Sequence, residues 1–186
     1  MRRRVVIPQR KRIFLGCEGE SEQSYGALLS RVVEEQHKRC FLDTVLLRPG
    51  GGDPLALVQL AAEKLKQRQK KGGEYAAAYV LLDSDKRGVA PQRDQQATTL
   101  AQTSGLVLIW QEPCHEALLL RHLQNCEQLR PQTTALAIST LKQRWPNYTK
   151  GMPASKLAGT LSASELRRVR VVENALNQLL TELEFQ

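Results

Sequence analysis

Several patterns that mark whole classes of protein are missing from this sequence of 186 residues. No apolar run approaches the roughly 18 residues of a membrane span. The apolar stretch after the first arginines, residues 5–7, is too short for the core of a signal peptide. No two of the four cysteines show C-x-x-C spacing, so we expect reduced thiols and no disulfides. We therefore expect a cytoplasmic protein that does not span a membrane.

The motifs of three common enzyme classes are also absent. Gly50–Gly52 are not followed by the Lys-Ser or Lys-Thr of a P-loop, so we expect no ATP hydrolysis, although a backbone contact with phosphate stays open. His115 and Glu116 begin a zinc-peptidase pattern, but Leu119 stands where its second histidine is required. His115 and His122 lie seven residues apart and lack the partner spacing of a zinc site. The G-x-S-x-G pattern of serine hydrolases does not occur.

Positive charge is in excess and is concentrated near the N-terminus. Lys and Arg number 27 against 19 Asp and Glu, which gives a net charge of +8 and a pI near 9.6. Six cations and no acid occur among the first twelve residues: Arg2, Arg3, Arg4, Arg10, Lys11 and Arg12. Because phosphate contacts release counterions, this bias predicts a nucleic-acid partner. The alternative is a solvated tail that aids solubility.

Short apolar segments alternate with helical segments through four rounds, which predicts an α/β domain. The apolar segments resemble strands that are buried on both faces. We predict a doubly wound, mainly parallel four-stranded sheet flanked by helices, with further helices at the C-terminus. The predicted strands are 12–17, 43–47, 75–82 and 106–110. The predicted helices are 22–38 with Ser21 as cap, 54–71 with Asp53 as cap, 91–104, 117–123, 133–145 and 162–183.

These elements group into three predicted regions: a basic arm (1–11), an α/β core (12–130) and a C-terminal helical extension packed on the core (131–186). The end of the second helix carries a further basic group: Lys64, Lys66, Arg68, Lys70 and Lys71. Cations near a helix C-terminus interact favourably with the helix dipole, so this group has a structural explanation.

Two predicted strands end in acids. Glu18 follows the first strand, and Asp83 and Asp85 follow the third with a spacing that lets both carboxylates point the same way. If these strands are neighbours, the carboxylates meet at the edge where α/β sheets bind ligands. A hard cation such as Mg²⁺ relieves the repulsion between them while it holds waters and phosphate oxygens. The pattern therefore predicts a metal site; the alternative is acids that serve as caps or solvated turn residues.

Four blocks of the sequence, in order, resemble one family. The first is Cys17-Glu18-Gly19-Glu20-Ser21-Glu22 with Tyr25; the second is Leu82-Asp83-Ser84-Asp85; the third is Pro113-Cys114-His115-Glu116-Ala117-Leu118 leading to His122; the fourth is Tyr148-Thr149-Lys150. The first two are similar to the Toprim pattern, and all four together are similar to RloB-like proteins, a bacterial branch of that fold. His115 stands where the family usually has an aromatic residue, and Leu118 where it usually has tryptophan.

This resemblance implies a Mg²⁺-dependent site, with Mn²⁺ as a substitute, that cleaves nucleic acid in bacterial defence against phage or foreign DNA. Glu18, Asp83 and Asp85 are the expected metal ligands, with Glu116 as a further ligand or base. The expected phosphate contacts are Lys86, His122, Lys150, Arg10, Lys11 and Arg12.

Two other functions remain open at this stage. The chain could be a non-catalytic nucleic-acid-binding or regulatory subunit that docks on an ATPase or nuclease, with the basic arm and C-terminal helices as binding surfaces. It could also be a small-molecule phosphatase or phosphotransferase that uses the same metal.

Overall fold

A computed structural model describes residues 10–48 and 52–185 of the chain. The predictions that concern residues 1–9, including Arg2–Arg4, lie outside these residues. The same holds for Gly50 and Gly51 of the triglycine segment.

Four strands form one parallel sheet, as predicted. They are β1 (Lys11–Cys17), β2 (Cys40–Leu46), β3 (Ala77–Asp83) and β4 (Leu106–Gln111). The strand order is β2-β1-β3-β4, and all three neighbouring pairs are parallel. The chain therefore reverses its direction of winding between β1 and β3, and such a switch point opens a crevice at the carboxyl ends of the strands.

Helices cover both faces of the sheet, which confirms the doubly wound arrangement. Phe14 and Val80 point to the face covered by α2 (Pro54–Gly72) and α3 (Pro91–Thr103). Leu15 and Leu81 point to the opposite face, which packs against α1 (Glu20–Glu35) and the C-terminal helices. This alternation along each strand is the two-residue period of β-structure, and it explains why nearly every strand residue is apolar.

The sequence predicts caps at the starts of both α1 and α2. Asp53 caps α2 as predicted, because its carboxylate accepts the Ala56 N–H at 3.2 Å. The prediction that Ser21 caps α1 is wrong, since Gly19 is the capping residue and Ser21 lies inside the helix. The Ser21 hydroxyl instead accepts the Gly151 N–H at 3.1 Å, so it ties the helix start to a distant loop.

Five helices follow the sheet: α4 (His115–His122), α5 (Thr134–Arg144), α6 (Ala154–Leu157), α7 (Ala163–Arg170) and α8 (Asn174–Glu182). The prediction of one helix over 162–183 is wrong, because the chain turns between α7 and α8. Leu166 and Leu176, one from each of these helices, are fully buried in the same cluster as α1. Among the described residues, no helix is long and apolar enough to cross a membrane.

Candidate functional site

Glu18 and Asp83 meet at the carboxyl ends of β1 and β3. The register that pairs Cys17 with Leu81 places the ends of the two strands side by side. One carboxylate oxygen of Glu18 accepts the backbone N–H of Asp83 at 3.1 Å. The structure therefore brings together two of the predicted site residues, which are 65 positions apart in sequence.

A third carboxylate, Glu22, belongs to this group and was not singled out from the sequence. It is only 4% exposed, and its Oε2 accepts the Gly19 N–H at 3.1 Å. An acid three residues after a helix cap is a recognised start signal for a helix. That spacing marks Glu22 as part of the α1 start, but only the fold shows that its other oxygen faces the crevice residues.

Gln111, the last residue of β4, joins these acids. With its amide nitrogen turned towards them, it donates to Asp83 Oδ1 at 3.0 Å and to Glu22 Oε1 at 3.2 Å. In the same orientation its oxygen accepts Nδ1–H of His115 at 2.7 Å. Gln111 is fully buried, so this orientation is the one that satisfies all four groups. His115, where the family usually has an aromatic residue, thus fixes the amide that holds Asp83.

Glu116 reaches the same crevice from α4. It is 2% exposed, and its Oε1 accepts the hydroxyl of Tyr148 at 3.2 Å. Tyr148 comes from the fourth of the blocks that define the resemblance, and it is buried too. The third and fourth blocks therefore converge on one carboxylate.

Asp85 and two predicted phosphate contacts lie at the rim. Asp85 is exposed in the turn after β3, yet it is close enough to raise the pKa of both Glu18 and Asp83. Lys86 is exposed beside it, and its side chain runs past Gly52. Gly52 has a φ of +67°, a backbone conformation that favours glycine. Lys150 lines the crevice and opposes the raised pKa of Glu18.

The crevice has a volume of about 530 Å³ and is lined mostly by polar groups. Glu18, Glu20, Glu22, Asp83 and Glu116 supply five carboxylates, whereas Arg48 and Lys150 supply its two Lys or Arg side chains among the described residues. Arg48 is already paired with Glu20. The site is therefore strongly acidic within a protein of net charge +8.

This crowding changes the proton affinity of the acids. Burial, followed by the charges of Glu22, Glu18 and Glu116, raises the pKa of Asp83 to about 8. Burial also raises the pKa of Glu18, against the opposing effect of its hydrogen bond from the Asp83 N–H. At neutral pH Asp83 therefore holds a proton for much of the time, and a bound cation would take the place of that proton.

The donor set suits a hard divalent cation. Every carboxylate here is an oxygen donor, the ligand type that Mg²⁺ and Mn²⁺ prefer, and the mutual repulsion of the acids is what such an ion offsets. Within residues 10–48 and 52–185, however, no three His, Cys, Asp or Glu side chains already stand together as a metal-binding group. Binding by Glu18, Asp83 and Asp85 would therefore require side-chain rotation, chiefly of the exposed Asp85.

His122 is not placed for the phosphate contact that the sequence suggested. It is fully buried, its Nδ1 donates to the Leu118 carbonyl at 2.9 Å, and its Nε2 accepts the Tyr25 hydroxyl at 2.9 Å. Burial lowers its pKa to about 4, so the ring is neutral. Its observed contacts are those of a core residue that joins α4 to α1.

The basic residues that begin β1 also lie away from the crevice. A strand of this length spans about 20 Å, so Arg10, Lys11 and Arg12 lie at the opposite end of the strand from Glu18. Lys11 is paired with Glu182. Arg12 donates to the Gly73 carbonyl and to the Tyr75 hydroxyl, so its cation is engaged within the fold. These three residues do not line the acidic crevice.

Together the fold and the site define a parallel α/β protein with an acidic crevice at its topological switch point. The family described as RloB-like protein matches residues 13–178, and the chain belongs to that family. No curated protein and no solved structure gave a significant match.

Proposed function

We propose that this protein is a Mg²⁺-dependent phosphodiester hydrolase that acts on nucleic acid. The observation that carries the proposal is the set of buried and half-buried acids at the switch point, with the pKa of Asp83 raised to about 8. Buried like charges are costly, and perturbed carboxylates in a crevice are typical of functional sites. A fold that needed only stability would not gather them.

Glu18, Asp83 and Asp85 would hold the cation, which supplies an activated water and stabilises the charge that develops on the leaving oxygen. Glu116 is the base in this proposal, because the Tyr148 hydroxyl orients it while it remains inside the crevice. Lys150 and Lys86 would contact the phosphate on either side. Gln111 donates to both Asp83 and Glu22 and so holds the two carboxylates in place.

The direct test is cleavage of DNA and RNA in Mg²⁺ or Mn²⁺ by the native protein and by Glu18→Gln. We expect the substitution to lower the rate by about 100-fold or more, the usual effect of losing a ligand or an acid–base group. The matched control is Glu34→Gln, which makes the same change at an exposed position of α1. Equal cleavage by the native protein and Glu18→Gln would contradict the proposal.

Membership of the RloB-like family, together with this chemistry, supports a role in defence against foreign nucleic acid inside a bacterial cell. Mixing extracts of cells that do and do not express the chain with phage nucleic acid would show whether cleavage depends on it. A partner ATPase is part of this proposal: the sequence contains no P-loop motif, so any ATP hydrolysis that the function needs would come from another protein.

A second candidate function is a non-catalytic nucleic-acid-binding or regulatory subunit. It is favoured by the lack, among the described residues, of three acids already grouped for a metal. In that case binding to nucleic acid would survive Glu18→Gln and would not need a divalent cation. No cleavage by any form of the protein, in the presence of such binding, would favour this function over hydrolysis.

A further inference from the structure

A second groove runs along the open edge of the sheet and is not part of the acidic crevice. β2 is an edge strand, and Thr44–Leu46 form the floor of a groove of about 670 Å³. Gln23 of α1 closes one side, and one face of α2 closes the other. We call this the β2-edge groove.

The backbone of β2 presents donors to this groove. Leu47 N–H bonds to the Cys17 carbonyl, so odd-numbered residues of β2 direct their polar groups towards β1. Thr44 and Leu46 therefore direct their N–H and C=O groups outwards, because these groups alternate along a strand. Both residues line the groove.

Four cationic side chains surround these backbone groups, against one carboxylate. Lys64, Arg68 and Lys71 are spaced i, i+4 and i+7, so they share one face of α2. Arg12 stands at the far end of the groove. The helix dipole accounts for cations near the end of α2 in general, but it does not explain why these three face β2.

The single acid in the groove, Asp43, is already neutralised. It is paired with Arg68 at 3.0 Å and lies 3.9 Å from Arg12, and it accepts a hydrogen bond from the Tyr75 hydroxyl. These contacts fix both arginines in place. Within the described residues, no carboxylate lies within ion-pair distance of Lys64 or Lys71. The groove therefore contains two uncompensated positive charges, Lys64 and Lys71, beside the outward N–H groups of Thr44 and Leu46.

The groove adjoins the acidic crevice. Leu46 lines the groove and Arg48, two residues on, lines the crevice. On α1, Glu22 lines the crevice and the next residue, Gln23, lines the groove. From Leu46 back to Phe41, which pairs with Arg12, the edge runs for about 17 Å. One strand of a duplex carries about five phosphates over that length.

We propose that the β2-edge groove binds the sugar–phosphate backbone of the nucleic acid on one side of the bond to be cleaved. This inference rests on the proposed function, since it treats the crevice as the reaction site. An acidic peptide strand paired to β2 would also meet these cations, but the continuity of groove and crevice favours the nucleic acid. Contacts of this kind position a polyanion without reading its sequence.

The test compares Lys64→Gln/Lys71→Gln with Lys66→Gln/Lys70→Gln. The second pair makes the same change of charge on the same helix, but Lys66 and Lys70 lie on its opposite face. Binding of a fluorescent 20-nucleotide duplex or single strand is measured by anisotropy in EDTA, across a range of salt concentrations. All proteins carry Asp83→Asn, so that no substrate is cleaved.

We expect the groove pair to weaken binding by at least about tenfold at 0.1 M salt and to lower the salt slope by about 1.8 for a duplex, two phosphate contacts at 0.9 each. We expect the control pair to leave the slope nearly unchanged. Equal effects of the two pairs would overturn the groove but leave the proposed function standing. No binding by the protein with intact lysines, either in EDTA or with Ca²⁺ added, would overturn both. Binding that is unaffected by either pair would likewise overturn the groove as a site for nucleic acid.

Discussion

Asp83 is the residue at which the electrostatic cost of the site is concentrated. One of its carboxylate oxygens accepts a hydrogen bond from the Gln111 amide, and its backbone N–H donates to Glu18. Its own burial, followed by the charges of four other acids, raises its pKa to about 8. A carboxyl group whose pKa is higher in the folded state than in the unfolded state has a defined effect on stability.

That effect gives a prediction about pH. The folded protein holds the Asp83 proton between the unfolded pKa near 3.8 and the folded pKa near 8, so stability should fall as pH rises through this window. Asp83→Asn keeps the shape and removes the charge. We expect this variant to melt at a higher temperature than the native protein above pH 8, and with a weaker dependence on pH. Thermal melts from pH 5 to pH 9 measure both effects.

Asp53→Asn is the control for this experiment. Asp53 is a helix cap whose pKa is lowered by its hydrogen bond from Arg93, so it is ionised in both states from pH 5 to pH 9. Its substitution should leave the pH dependence unchanged. A native protein whose melting temperature rises steadily from pH 5 to pH 9 would contradict the assignment of a raised pKa to Asp83.

Gln111 gives a second prediction at this scale. Gln111→Leu removes the amide that donates to both acids, so the buried Glu22 and the half-buried Asp83 each lose a hydrogen bond. We expect a loss of about 1–3 kcal/mol of stability and a further rise in the pKa that limits activity on the acid side. Gln96→Leu, an exposed position of α3, is the matched control. The measurements are urea unfolding and the pH–rate profile; an unchanged profile would remove Gln111 from the site.

At the scale of elements, a buried ion pair joins the sheet edge to the C-terminal helices. Arg121 of α4 is 1% exposed, donates to the Glu112 carbonyl at 3.0 Å and is paired with Glu173. Glu173 is the cap of α8, in the turn that separates α8 from α7. The turn that interrupts the predicted C-terminal helix thus places Glu173 against the buried guanidinium of Arg121.

Removing that acid should destabilise the protein strongly. Glu173→Gln leaves the Arg121 charge buried without its partner, which costs about 3–5 kcal/mol. Glu35→Gln breaks the exposed pair with Arg31 and should cost about 0.5 kcal/mol or less. Urea unfolding of both variants measures the difference. Similar small losses in the two variants would show that α4 and the C-terminal helices do not depend on this pair.

At the scale of the whole molecule, a basic protein carries an acidic crevice. A polyanion attracted by the overall charge of +8 is repelled at the site itself unless a cation occupies it. We therefore expect Ca²⁺, which binds oxygen ligands as Mg²⁺ does, to strengthen nucleic-acid binding at constant ionic strength. Anisotropy titrations in EDTA and in Ca²⁺ measure this.

The double variant Glu18→Gln/Asp83→Asn provides the control for the divalent effect. It should bind in EDTA at least as tightly as the native protein, because the charge of Glu18, and that of Asp83 when it is ionised, are gone, and Ca²⁺ should no longer help. If Ca²⁺ weakened binding by the native protein as ordinary salt does, the acids would not be acting as a cation site.

The amino-acid sequence by itself determined the local elements of this protein. Apolar runs such as Ile13–Leu15 form strands whatever their place in the sheet. That Glu18 and Asp83 come at the ends of two such runs follows from the order of residues along the chain. Asp53 is recognisable as a cap because its partner is three residues away. These features depend on neighbours within a few positions, so a one-dimensional pattern contains them.

Only the tertiary structure decided which of the candidate residues share an environment. The strand order, and the packing of helices that are distant in sequence, decide which of these side chains are buried. Glu22, Gln111 and His122 are buried, whereas Asp85 is exposed. Arg12 lies near the start of β1 and Glu18 directly after its end, so the two lie at opposite ends of the sheet. Whether a charge is free, paired or desolvated depends on residues far away in the sequence, and no local pattern carries that information.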